Sequence, residues 1–197
     1  MKDLIKEDLD FVPDILLIDG MNLTKRYHHA LSVLSDDHGV PMGAPYGIFK
    51  YILEWRKKVR RIKIYVLWEG KMSYRKVMYP EYKNRNRKQG NDELFNESIK
   101  VLKEGLRLLG VTQVTGSTVE ADDLAGYFVS QFCTKNILLS SNDKDWFQYL
   151  TTDKIRIQSD LKTIKSKEGV EKELGFPPWR IVIYKSLTGD SSDNVRG

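Results

Sequence analysis

Nine carboxylates sit where apolar runs end or helical patterns begin: Asp19, Glu69, Glu120, Asp122, Asp123, Asp143, Asp145, Asp190 and Asp193. If those runs are parallel strands, side chains at their carboxyl ends converge on one crevice, the usual place for a site in an open α/β sheet. Like charges that close, in a low effective dielectric, repel until some of them protonate, unless cations intervene. An all-oxygen donor set suits Mg²⁺ or Mn²⁺ rather than zinc. Two such ions about 4 Å apart are the usual apparatus for cutting phosphodiesters. Each acid alone has a plainer explanation. Ser117 to Glu120 has capping-box spacing, Asp122 and Asp123 suit the first turn of a helix, and Asp143 with Asp145 could cap a short one. The loop from Asp190 to Asn194 lacks the Gly and distal Glu of an EF-hand. Acid at four strand-to-loop junctions, with a fifth pair after the last helix, favours one shared metal site over independent capping.

A second constellation lies between 71 and 90. Seven basic residues, Lys71, Arg75, Lys76, Lys83, Arg85, Arg87 and Lys88, stand against a single acid, Glu81, with Tyr74, Tyr79 and Tyr82 interleaved. Cations neutralise phosphates and aromatic faces stack on bases, a combination suited to a single strand. A solvated charged loop is the alternative, but the stretch is too long and polar for a tight connection and follows Glu69 directly.

The elements that must position these groups alternate along the chain. Apolar runs at 15–18, 63–68 and 137–139 predict strands, and 111–114 reads as a further short strand. Helical spacing marks 46–59 after Pro45, 94–109 up to Gly110, and 121–132, with a short helix at 146–150. Residues 155–164 read as a small ladder or hairpin, and Pro177-Pro178 opens a helix that Gly189 ends. Such alternation implies an α/β fold, a mostly parallel sheet with helices on both faces.

Composition narrows the field. A chain of 197 residues, 41% hydrophobic, builds one domain. Its net charge of +5 means that a chain with so many clustered acids is strongly basic elsewhere. Cys133, the only cysteine, excludes an intrachain disulfide and is expected to be a small buried hydrophobe in a reducing compartment. His28, His29 and His38 lack cysteine partners or zinc spacing. No run approaches the ~20 apolar residues of a membrane span. A cytoplasmic protein is expected, with no membrane partner.

Five ordered motifs carry a family resemblance: Ile18-Asp19-Gly20-Met21-Asn22, Tyr79-Pro80-Glu81-Tyr82-Lys83-Asn84-Arg85, Val119-Glu120-Ala121-Asp122-Asp123, Ser140-Ser141-Asn142-Asp143-Lys144-Asp145-Trp146, and the run from Gly189 to Gly197. Together they resemble the 5′-nuclease superfamily, which includes bacteriophage flap endonucleases, the 5′→3′ exonuclease domains of bacterial repair polymerases and the cellular flap endonucleases, with the phage enzymes most alike. The resemblance implies a PIN-like three-layer sandwich and a structure-selective 5′ nuclease with two Mg²⁺ or Mn²⁺ ions. Asp19, Glu69, Glu120 and Asp122 would surround the first ion. Asp143 would serve both, and Asp123, Asp145, Asp190 and Asp193 would serve the second or its water shell. Tyr82 would stack on a nucleotide, Lys83 would touch the scissile phosphate, and residues around 71–93 would begin a helical arch.

The implied partners are DNA with single-stranded 5′ ends or flaps and, as a second substrate, RNA-DNA hybrids. A monomer in a bacterial or phage-infected cytoplasm is expected. Glu69 stands where the family has Asp, and Asn86 where it has Arg. The family's helix-hairpin duplex grip would follow residue 197, so weak duplex anchoring, or a second polypeptide that supplies the grip, is expected. Two rival functions are a PIN-type ribonuclease and a non-catalytic single-strand-binding protein. PIN-type ribonucleases carry fewer acids and lack the basic insertion.

Overall fold

Burial on both faces explains why the strands read as unbroken apolar runs rather than alternating ones. In the computed structural model, which describes residues 11–70, 74–83 and 92–197, β1 (Ile15–Asp19) is buried at every position. On one side it pairs with β2 (Lys63–Trp68), which pairs in turn with β3 (Thr112–Thr115). On the other side it pairs with β4 (Ile137–Ser140), followed by β5 (Ile155–Ile157). The order β3-β2-β1-β4-β5 is parallel throughout. The winding direction reverses between β1 and β4, and that reversal is where such sheets open a crevice at their carboxyl edge.

Alternation along β1 sorts its side chains into two cores. Leu16 and Ile18 face α1 (Gly20–Ala30), α2 (Gly43–Lys58) and the helix Asp92–Leu108, through Leu23, Ile48, Ile52, Trp55, Leu102 and Leu106. Ile15 and Leu17 face the helix Ala121–Gln131, the 3-10 helix Lys144–Tyr149 and the helices Lys167–Leu174 and Ile181–Thr188, through Ala125, Trp146, Phe147, Val170 and Ile181. Counting the short surface helix α3 (Tyr74–Met78), these helices are α4, α5, α6 and α7 in chain order. A two-residue hairpin, β6 (Gly189–Asp190) with β7 (Val195–Arg196), follows α7. Helix layer, parallel sheet and helix layer are the three-layer sandwich expected.

Several elements depart from the sequence reading. Residues 155–164 do not form a separate hairpin. Ile155–Ile157 extends the main sheet, and only one antiparallel bridge, Ile157 to Lys165, follows. Helices α1 and α6 escape an apolar-run reading because few of their side chains are buried. Local caps mark their ends instead: Asp19 caps α1, while Ser166 caps α6 and Gly175, at φ +78°, ends it. Cys133 is exposed rather than buried, because it lies past the end of α5 in the turn that leads into β4. No described helix is long and apolar enough to cross a membrane.

Candidate metal centre

Asp19 is both the last residue of β1 and the N-cap of α1. Its carboxylate accepts the Asn22 N–H and the Ser141 hydroxyl, each at 3.0 Å. The next residue must be glycine, since a Cβ at Gly20 would lie 2.6 Å from the Trp68 ring. Across the reversal, the side chains of Asn22 and Asn142 bond to each other, and the Asp143 N–H donates to Ser141 Oγ at 3.1 Å. Asp143 caps the 3-10 helix by accepting the Asp145 N–H at 3.0 Å. Capping and site-building are thus the work of the same carboxylates: helix N-termini at the ends of β1 and β4 hold Asp19 and Asp143 at the rim of the crevice.

The first turn of α5 divides its two adjacent acids. Asp122 accepts Trp146 Nε1–H at 2.9 Å and lies within electrostatic reach of Asp143, Asp19 and Asp145. Asp123 points elsewhere: it holds Arg75 in a two-pronged ion pair, 2.7 Å per arm, and accepts the Glu120 N–H at 2.9 Å. Buried Glu120 receives Lys83 Nζ at 2.7 Å and the Tyr82 hydroxyl, which also lies 3.0 Å from Asp193. Residues 79–83 are pinned against the β6–β7 loop. The Lys83 N–H donates to the Asp193 carbonyl at 2.9 Å, and Asn194 Nδ2 donates to the Glu81 carbonyl at 3.0 Å.

Oxygens of Asp145, Asp190 and Asp193 lie within 4.8 Å of one another. Lys185, in the last turn of α7, bridges two of them, with Nζ 2.7 Å from Asp190 and paired with Asp145. The electrostatics follow from these contacts. Burial, reinforced by neighbouring acids, pushes Asp19 up to about 6 and Asp122 up to about 7. Burial also raises Asp145, in spite of Lys185. At Asp190 burial is outweighed by Lys185 and Ser192, which bring it down to about 2. The Tyr82 phenol is pushed up by burial and by Asp193 and Glu120, so it stays a donor. Burial works against the charge on Lys83, but Glu120 and Asp193 hold it protonated.

Of the residues singled out from sequence, Asp19, Asp122, Asp143 and Asp145 share the crevice, Asp190 and Asp193 border it, and Glu120 joins through Lys83 and Tyr82. Glu69 is exposed, with its charge felt at Asp19 and Lys83. Asp123 is spent on Arg75. Tyr82, expected to stack on a base, is 8% exposed beneath two carboxylates. Lys76 is exposed on α3, whereas Lys71, Arg85, Arg87 and Lys88 lie outside the described residues. Ser141, Trp146 and Lys185 were not singled out. No local signal marks Lys185, because its partner Asp145 comes from a different element. The donors that converge are all hard oxygens, two of them carboxyls whose ionisation the crevice itself opposes, and that set fits a hard divalent ion.

The chain matches the family model described as 5′-3′ exonuclease, N-terminal resolvase-like domain, over residues 14–175. It is 31% identical over 186 residues to a 5′-3′ exonuclease of Aquifex aeolicus, covering 93% of this chain and 64% of that protein. To the thermostable DNA polymerase I of Thermus filiformis it is 30% identical over 193 residues, covering 96% of this chain and 23% of that one. The chain thus spans less than two thirds of either relative. Among solved structures it resembles T5 5′-exonuclease with divalent zinc ions bound, at TM-score 0.76 and 25% identity, covering 93% of this chain and 69% of that one. The PIN-like architecture expected from the motifs is the one shared with that structure.

Proposed function

The chain belongs to the family of 5′-3′ exonuclease N-terminal, resolvase-like domains, and we propose that it hydrolyses DNA phosphodiesters at single-stranded 5′ ends or flaps with Mg²⁺ or Mn²⁺. One observation carries this reading: acids from β1, α5, the 3-10 helix and the terminal hairpin converge at the carboxyl ends of β1 and β4. Asp19, Asp122 and Asp143 would hold one ion, with Glu120 in support, and Asp145, Asp190 and Asp193 a second. A bound divalent ion supplies an activated water and neutralises charge on the phosphate.

The chain's own residues do the rest. Ser141 and Asn22 fix the Asp19 carboxylate, and Trp146 fixes Asp122, so both present oxygens without reorganising. Lys83, kept protonated on Glu120, is the cation available to a phosphate entering the crevice. The positive side chains of α3 offer a sequence-independent attraction for a single strand, since Arg75 and Lys76 lie on the same short helix. Arg75 takes part only after leaving Asp123, or else it positions α3.

The test is cleavage of a 5′-labelled DNA flap by the full chain in Mg²⁺ and in EDTA, beside a matched RNA flap. Cleavage of DNA that depends on metal supports the proposal. Tight binding without cleavage would point to a single-strand-binding protein, and faster cleavage of RNA to a ribonuclease; either result refutes the proposal.

A further inference from the structure

Lys185 occupies the ground between Asp145 and Asp190, and with Asp193 those acids form the tightest carboxylate cluster among the described residues. Its stem rises from α7, whereas its two partners come from the 3-10 helix and from the β6–β7 hairpin. One ammonium thus ties three elements to each other. The carboxylates it contacts are two of the three that a divalent ion would need, and a second cation placed among them is repelled by the ammonium. We propose that Lys185 is a resident counter-cation of this cluster, which an incoming divalent ion must displace, so that it sets the affinity of the second ion.

The inference rests on the metal reading above and adds a role that the reading does not require. A lysine suits exchange better than an arginine. Its charge sits at the end of a flexible four-carbon stem that can swing away, and it makes point contacts rather than a planar two-pronged clamp. The side chain is 25% exposed, so a path outward exists. Asp145 and Asp190 share one ammonium, whereas Asp19 and Asp122 have no ammonium bonded to them among the described contacts.

The experiment measures Mn²⁺ binding by isothermal titration and by paramagnetic resonance for the full chain and for Lys185→Met and Lys185→Arg. Lys185→Met should bind the weaker of two Mn²⁺ ions up to about fivefold more tightly, the factor that loss of one partly exposed ion pair corresponds to. Lys185→Arg should bind it no better than the unaltered protein. Equal or weaker affinity in Lys185→Met overturns the proposal, as does a gain in Lys185→Arg equal to that in Lys185→Met. Should Lys185→Met fail to fold, acylation of the unaltered protein decides: Mn²⁺ must raise the labelling of Lys185 by an N-hydroxysuccinimide ester, and unchanged labelling refutes displacement. If no protein binds Mn²⁺ saturably, the metal reading itself falls. Binding at equal affinity in all three removes only the counter-cation.

Discussion

Crowding acids into a crevice should weaken the metal-free fold, and Asp122→Asn exposes that cost. Burial and the neighbouring acids raise Asp122 from 3.8 to about 7. In the pH window between those values the folded protein holds a proton that the unfolded chain has released. Stability therefore falls as pH rises through the window and levels off above it. A difference of about three units corresponds to about 4 kcal/mol at 1.36 kcal/mol per unit. Relaxation and water entry at a crevice rim reduce that, so a gain of about 2 kcal/mol or more is expected for Asp122→Asn at pH 8. Asparagine keeps the oxygen that accepts Trp146 Nε1–H, so the change removes charge and little else. The assay is urea unfolding in EDTA at pH 4, 6 and 8, followed by tryptophan fluorescence. The variant should match the unaltered protein at pH 4, lead it by more than half of the full margin at pH 6 and by the full margin at pH 8. Adding Mg²⁺ should reverse the order, since only the unaltered protein keeps that carboxylate for the ion. An advantage that is equal at every pH, or absent at pH 8, would refute the electrostatic account.

Other changes probe separate links. Asp143→Asn should lower flap cleavage in Mg²⁺ by about a thousandfold or more while leaving affinity for the flap in Ca²⁺ within about threefold, as read by single-turnover assay and anisotropy. Lys83→Ala should slow the single-turnover step by about a hundredfold, the usual loss on removing one electrostatic stabiliser; a rate equal to that of the unaltered protein would exclude Lys83 from the chemistry. Gly20→Ala forces a methyl group against the Trp68 ring, 2.6 Å away, and should cost about 1–3 kcal/mol in urea unfolding through overpacking.

What the sequence disclosed depended on how each signal arises. β1, β2 and β4 were legible because their interiors are buried on both faces, which leaves unbroken apolar runs. α1 was not, because its buried positions include only one large aliphatic side chain, Leu23, and its start is set by one carboxylate at a strand end. Asp19 ends β1 and Asp143 follows β4, so the strand pattern alone places both at the carboxyl edge of the sheet. The division between Asp122 and Asp123 is not in that pattern. Adjacent residues on a helix point about 100° apart, and only the packing shows that one meets Trp146 and the other Arg75. Tyr82 also needed the packing. An aromatic among cations reads as a stacking platform, and the structure adds that its hydroxyl reaches Glu120 and Asp193.

The place of β1 in the middle of the sheet has a consequence for biosynthesis. Asp19 leaves the ribosome early, yet Ser141, whose hydroxyl it accepts, lies 122 positions downstream. A nascent chain can assemble β1, β2 and β3 first, with one bare edge of β1 waiting for β4. Pairings so distant in sequence form slowly, and the unfinished half-sheet is the species most exposed to aggregation or to a chaperone.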